Sequence, residues 1–350
     1  MLNIFADGKG MKKIISIIAA ATIGLCALFS GCSCTGDQTL AFNIDAAKSE
    51  TLTYSVKFVE EYLGNATKNK NLDDCFTYKY DEANGKLVTS LARQYELVGV
   101  SSDIINDANV NKTVYSFTTE FEIPLTVTVG NSVYNHLEKI KTTALIADKG
   151  VSLAPIYAKE ETEYLDVSAS ANKTTVKILK SETETFYTTE NVTTKAKYKL
   201  FDADTAASEI TLAGVTATEF TRKYDFRTVI DNAELLFALR AIPLEESASQ
   251  TVQVISPSYN EATPIKVSNT AIATGEFTIN GKNENLSYNT LCFFVNSTNA
   301  SGVAQYLKVQ SAPAAGSNPL LLEYAKPLVC SLDGSYVSMG WLVFTLSNAE

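Results

Sequence analysis

His136 is the single histidine of the chain, and it limits the chemistry the sequence can do. One imidazole cannot build an HExxH zinc site, a three-histidine zinc site or a two-histidine iron triad. A Ser-His-Asp set would have to use it, yet His136 sits beside Leu137 in a strand-like run, and no Gly-x-Ser-x-Gly elbow is present. Ser170-Ala171-Asn172-Lys173 has the Ser-x-x-Lys spacing, and Ser258-Tyr259-Asn260 and Ser287-Tyr288-Asn289 have Ser-x-Asn. That chemistry needs the serine at a helix start with the lysine one turn on, so that the amine reaches the hydroxyl. Ser170 lies instead in a Ser/Ala-rich loop before a strand, and no Lys-Thr-Gly follows. Acidic residues cluster at Asp73-Asp74, Glu160-Glu161 and Asp202-x-Asp204, and the expectation for all three is solvated loop charge. The Asp202–Asp204 pair lacks the glycine and later glutamate of a calcium loop. No Walker loop and no dinucleotide fingerprint is present. The reading is a non-enzyme with no metal and no cofactor.

The cysteines carry more information. Met11-Lys12-Lys13 opens a basic segment, and residues 14–29 are uncharged and mostly apolar. That run is shorter than the ~20 residues a spanning helix needs, and it has the layout of a secretory signal. It ends Leu28-Phe29-Ser30-Gly31-Cys32, which resembles the bacterial lipobox, although Phe29 replaces the usual aliphatic residue. The resemblance implies a lipoprotein: residues 1–31 are a signal peptide whose true start is Met11, and Cys32 is the lipidated residue. It also implies an exported protein, anchored to the outer face of the cell membrane or in the cell envelope. Residues 32–50 read as the lipidated cysteine and a small, polar tether. Of the remaining cysteines, Cys292 with Cys330 is the favoured disulfide, because both fall in strand-like runs of one C-terminal block; unpaired thiols are the alternative.

Composition narrows the partners. The chain has 350 residues, 29 basic against 39 acidic, and a net charge of −10. Lys9, Lys12 and Lys13 leave with the signal, so the exported part is relatively more acidic still. That balance argues against nucleic acid, which wants a basic footprint, and against a polybasic membrane patch. The partners expected are the membrane, through the N-terminal lipid, and an apolar ligand or surface component.

Residues 51–350 read as mainly β and antiparallel. The expected shape is an open half-barrel or one to two β-sandwich-like sheets. Residues 113–129 alternate with β-branched and aromatic side chains. Gly130-Asn131 follows as a hairpin signal, and residues 132–147 return. Asn84-Gly85 reads as a second hairpin turn, between residues 75–80 and 86–100. Further strands are expected at 174–189, 193–201, 209–229, 251–256, 265–280, 285–296, 303–310, 320–329 and 336–346. Residues 51–63 fit either a strand or a helix. A division near 165–173 and a single large curved sheet are both compatible with the pattern.

One segment breaks the alternation. Asp231 is a natural N-cap with Glu234 three residues on, and Leu235, Leu239 and Ile242 follow at helical spacing before Pro243. This predicts one short helix near 231–242. The 17 Tyr and 16 Phe recur along the strands, and they either line an apolar trough on an uncovered face or fill a core.

Leu52-Thr53-Tyr54-Ser55-Val56, with Gly64-Asn65-Ala66 beyond, resembles the opening of a family of uncharacterised exported bacterial proteins. The same family has a middle Asp-Asn before a leucine-rich helix carrying Leu-Arg, here residues 230–240. A strand ladder follows, here Gly275-Glu276-Phe277, 288–295 and Gln305-Tyr306-Leu307. The chain departs from the family in lacking its aromatic-rich strand near 305–310, and 101–164 has no counterpart. The resemblance implies an open β half-barrel similar to lipoproteins that carry lipids in a groove. The function expected is therefore a lipid-anchored, surface-exposed, non-catalytic binding protein for a lipid or other apolar envelope ligand. A structural or adhesive β-sandwich module is the first alternative, and a hydrolase the second.

Overall fold

The computed structural model describes residues 49–350, apart from 66, 95–99, 101, 107–112, 149–152, 171–172, 203–210, 225–228, 243, 256–262 and 296–303. The expected signal peptide, Cys32 and nearly all of the expected tether lie outside the described residues. Among the described residues, no helix is long and apolar enough to cross a membrane.

The strands follow the period-two pattern. In chain order they are β1 (Glu50–Val59), β2 (Thr77–Tyr80), β3 (Lys86–Gln94), β4 (Val114–Val129), β5 (Ser132–Asp148), β6 (Leu153–Ser170), β7 (Lys173–Tyr187), β8 (Asn191–Asp202), β9 (Thr211–Lys223), β10 (Val229–Asp231), β11 (Ser249–Ile255), β12 (Thr263–Ile279), β13 (Lys282–Val295), β14 (Gln305–Gln310), β15 (Leu321–Leu332) and β16 (Ser335–Ala349). They form one sheet in the order β10-β11-β12-β13-β14-β15-β16-β1-β3-β4-β5-β6-β7-β8-β9, with β2 beside β4. The pairs are antiparallel except β10 with β11 and a short contact of β15 with β6. That last contact, Ser331 with Ser168 and Leu332 with Ala169, curls the sheet into a ring of strands that is not a regular barrel.

Residues 51–59 of this stretch resolve as strand in β1, because both of its edges are taken, by β16 and by β3, and 60–63 lie beyond the strand. Glu50, expected in the tether, opens this strand and pairs with Leu91 across it. Its carboxylate forms an ion pair with the buried guanidinium of Arg240. The stretch 165–173 falls on the β6–β7 hairpin, paired from Tyr157–Phe186 to Ser170–Lys173, so the sheet runs through it.

One turn corrects the sequence reading. Gly130 joins β4 to β5 with φ +58°, as the hairpin signal predicts. Asn84-Gly85 makes no hairpin, since β2 and β3 do not pair: both lie along β4, β3 on residues 114–122 and β2 on 125–128. Gly85 is extended rather than left-handed. It serves by smallness, because a Cβ there would sit 3.1 Å from Ile123 and 3.3 Å from Val56.

The helical segment starts where the sequence places it. Ala233 N–H donates to Asp231 Oδ1 at 2.7 Å, and Asp231 N–H donates to Glu234 Oε1 at 2.9 Å, closing a capping box. A 3₁₀ turn over Asn232–Glu234 leads into α1 (Leu235–Arg240), which is shorter than residues 231–242. The segment lies inside the ring. Leu235, Ala238 and Leu239 join the main core with residues of β1, β4, β6 and β12–β16, while the Phe237 ring lies 5.2 Å from that of Phe117 on β4, tilted by 31°.

Candidate functional site

Strand parity carries polar groups into this interior. On β4, Phe117, Thr119, Phe121 and Ile123 face inward, and they oppose Ala144, Thr142, Ile140 and Glu138 of β5. Thr142 in turn opposes Glu160 of β6. The inward set on β6 is Ala154, Ile156, Ala158, Glu160 and Thr162, all buried. On β15, Lys326 shares its parity with Leu322 and Tyr324. From these strands, two carboxylates and one ammonium thus enter the interior beside apolar side chains and threonines.

Two cavities flank Lys326. The first, about 80 Å³, lies under the helical segment; its apolar walls include Leu87, Leu235, Leu236, Phe293 and Phe344, and its polar groups include Glu160, Thr142 and Gln305. The second, about 90 Å³, lies toward the β6–β7 hairpin and is lined by Glu138, Tyr80, Leu125 and Leu342 among others. Phe121, Ile140 and Lys326 line both. Each holds several waters by volume, and each has polar partners for them.

Burial sets the charges here. It pushes Glu138 and Glu160 up to about 7, against the pull of Lys326, and for Glu138 against the N–H of Leu165 as well. The same burial brings Lys326 down to about 8, opposed by those two carboxylates. Asp231, buried in the capping box, is raised to about 6, with Tyr187, Ala233 and Arg222 working the other way. Glu160 Oε2 accepts from Asn232 Nδ2 at 3.2 Å, while Glu160 Oε1 and Thr142 Oγ1 have no hydrogen-bond partner.

Larger concavities open on the outside. In one, of about 480 Å³, strands β4 to β8 present rows of charge such as Glu120–Lys141–Glu161. These charges pair with one another, Lys141 with Glu120 at 2.7 Å and Lys180 with Glu163 at 2.9 Å. Such exposed pairs contribute little and describe a wet sheet face.

The residues singled out in the sequence mostly lie elsewhere. His136 is a half-buried strand histidine 3.7 Å from Glu163. Its pKa is lowered, chiefly by burial, with Glu163 raising it. Ser170 Oγ donates to the carbonyl of Lys173 across the β6–β7 turn, and Ser287 lies in β13 beside Thr274. Ser258, Asn260 and Asp204 lie outside the described residues. Asp73 pairs with Lys68 at 2.6 Å, and Asp202 with Lys177 at 3.5 Å, both as exposed charge. Glu160 departs from that expectation: it is a strand residue, 4% exposed, that points inward, whereas Glu161 points out to Lys159.

Cys75, Cys292 and Cys330 are free thiols. The favoured Cys292–Cys330 bond is not formed, because the side chains pack in different clusters. Cys292 sits with Tyr306 and Trp341, and Cys330 lies in the main core. Many of the aromatic residues among those described are core: Tyr54, Phe117, Tyr198, Phe277 and Phe293 are all buried.

Glu138, Lys326 and Thr142 were not singled out by residue chemistry. Parity held the signal: Glu138 shares it with Ile140, Ala144 and Ile146, and Lys326 with Leu322 and Tyr324. Compared with known proteins, the sequence matches no family model, and no curated protein and no solved structure matches it.

Proposed function

We propose that this chain is exported, anchored through lipid on Cys32 at the outer face of the membrane or in the envelope, and that it is a non-catalytic binding protein for an apolar ligand held inside the curled sheet. The carrying observation is the unfilled space on both sides of Lys326, with apolar walls and a few converging polar groups. The signal and lipobox pattern ending at Cys32 supports the anchoring, and the likeness to exported half-barrel proteins belongs to the same reading. Native mass spectrometry of the chain purified without detergent tests it. A discrete added mass, released on extraction with organic solvent, is expected; a bare mass in repeated preparations contradicts it.

A structural or adhesive surface module is the second reading. The small size of the two cavities favours it, as does strand β9, which ends the sheet order beside β8 alone. Hydrolysis has less support. Glu138 and Glu160 are an acid pair with raised pKa values, but each lines a different small cavity instead of facing the other across one groove.

A further inference from the structure

Two polar atoms under the helical segment are buried without a partner. Glu160 Oε1 and Thr142 Oγ1 have no hydrogen bond, and their residues are only 4% and 7% exposed. Both line the 80 Å³ cavity, and β5 and β6 place them directly across from each other. An unsatisfied buried acceptor costs free energy, so a group that satisfies it is favoured strongly over an apolar one.

The charges beside them decide what that group is. Lys326 already interacts with two carboxylates, so an anionic ligand would bring a third negative charge into the space. A cationic ligand would meet the Lys326 ammonium and, like any charge here, the desolvation that already shifts both carboxylates and the lysine toward their neutral forms. A neutral group avoids both. Above about pH 7, where Glu160 is ionised, it must donate to Glu160 Oε1 and accept from the Thr142 hydroxyl, which a hydroxyl does and a ketone or ether does not. Leu235, Leu236, Ile140 and Phe344 would surround the rest of the molecule. At about 80 Å³ the space is smaller than the ~150 Å³ apolar cavity known to take benzene, so an aromatic ring is too large.

We propose that this cavity is a binding site for a small neutral alcohol, or for the hydroxyl-bearing end of an aliphatic molecule, with Glu160 and Thr142 as its hydrogen-bonding pair. The proposal rests on the interior being the ligand compartment, and its test separates the two.

The experiment is a methyl-resolved NMR titration of the purified full chain with 1-propanol, propylammonium, propionate and xenon, in the wild type, Thr142→Val and Glu160→Gln. The expected result is that 1-propanol and xenon shift the methyl signals of Ile140, Leu235 and Leu236, while the two charged analogues do not. Thr142→Val is expected to weaken 1-propanol about five- to tenfold, the loss of one hydrogen bond, and to leave xenon unchanged. Glu160→Gln keeps the shape and presents an amide that a hydroxyl can still bond, so it is expected to hold 1-propanol about as well as the wild type, and Thr142→Ala serves if the valine variant fails to fold. Equal 1-propanol affinity in all three proteins, or equal binding of a charged analogue, would overturn the hydroxyl site while leaving the compartment standing. Failure of every probe, xenon included, would overturn both.

Discussion

The side-chain amide of Asn232 donates to Glu160 Oε2 at 3.2 Å, and this bond ties the turn that starts the helix to the strand that lines the interior. Asn232 follows the capping residue, and Glu160 is the most enclosed acid of strand β6. The two are 72 residues apart in sequence. The helical segment is thus fixed to the sheet by a polar contact as well as by packing, on the wall of the cavity that carries the functional reading.

Glu160 makes stability depend on pH. Burial raises it from the ordinary carboxylate range to about 7, so the folded chain holds this proton more tightly than the unfolded one. Its contribution is fully present below about pH 4.5 and is lost as pH rises to about 7. Glu160→Gln, which never ionises, is expected to flatten that part of the stability curve. Relative to wild type it gains on the order of 1–3 kcal/mol at pH 8 compared with pH 4.5. Urea unfolding of both proteins at the two pH values measures it; parallel curves would mean that Glu160 ionises as freely in the fold as outside it.

Asp231→Ala removes more than a helix cap. It takes away the acceptor for Ala233 N–H and leaves the hydroxyl of the buried Tyr187 without its carboxylate. The cap alone is worth about 1 kcal/mol, and an orphaned buried hydroxyl adds about 1–3 kcal/mol. Against this, a buried acid is removed. A net loss of roughly 2 kcal/mol is expected in thermal or denaturant unfolding, and an unchanged midpoint would show that the box does not hold the segment in place.

The thiols of Cys292 and Cys330 are expected to be silent in the native state. Burial pushes Cys292 up to about 11 and Cys330 up to about 12, so almost no thiolate exists at pH 7. Iodoacetamide without reductant should spare both in the folded chain and label both in denaturant, as read by peptide mass mapping. Protection that persists in denaturant until reductant is added would restore the Cys292–Cys330 disulfide.

The proposed anchor has its own test. Cys32→Ala should abolish lipid attachment and release the chain from the membrane fraction. A variant still fully membrane-bound and normally processed would remove the lipoprotein reading.

The sequence was legible where one signal dominated. Residues 113–129 became β4 (Val114–Val129) because, Thr119 apart, every second side chain from Tyr115 to Val129 is apolar or aromatic. Asp231 and Glu234 announced the helix because their capping roles are local. Strand β6 went unread, although it lines the cavity and closes the ring. Its run Lys159-Glu160-Glu161-Thr162-Glu163 hides the alternation, since charge lies on both faces and only Glu160 and Thr162 turn inward. Asn84-Gly85 misled for the opposite reason. The dipeptide fits a tight turn, but β4 is long enough to pair with β3 and β2 end to end, and that pairing settled the chain's path. Glu138 and Lys326 resemble ordinary solvent-facing strand charges until the partners of β5 and β15 are known.

An experimental electron-density map of the interior tests the central claim most directly. The account predicts open space beneath the helical segment, with density for a bound molecule within hydrogen-bonding distance of Glu160 Oε1 and Thr142 Oγ1. A map in which the side chains of Phe121, Ile140, Leu236 and Phe344 close over that space, leaving room for no more than an isolated water, would contradict it.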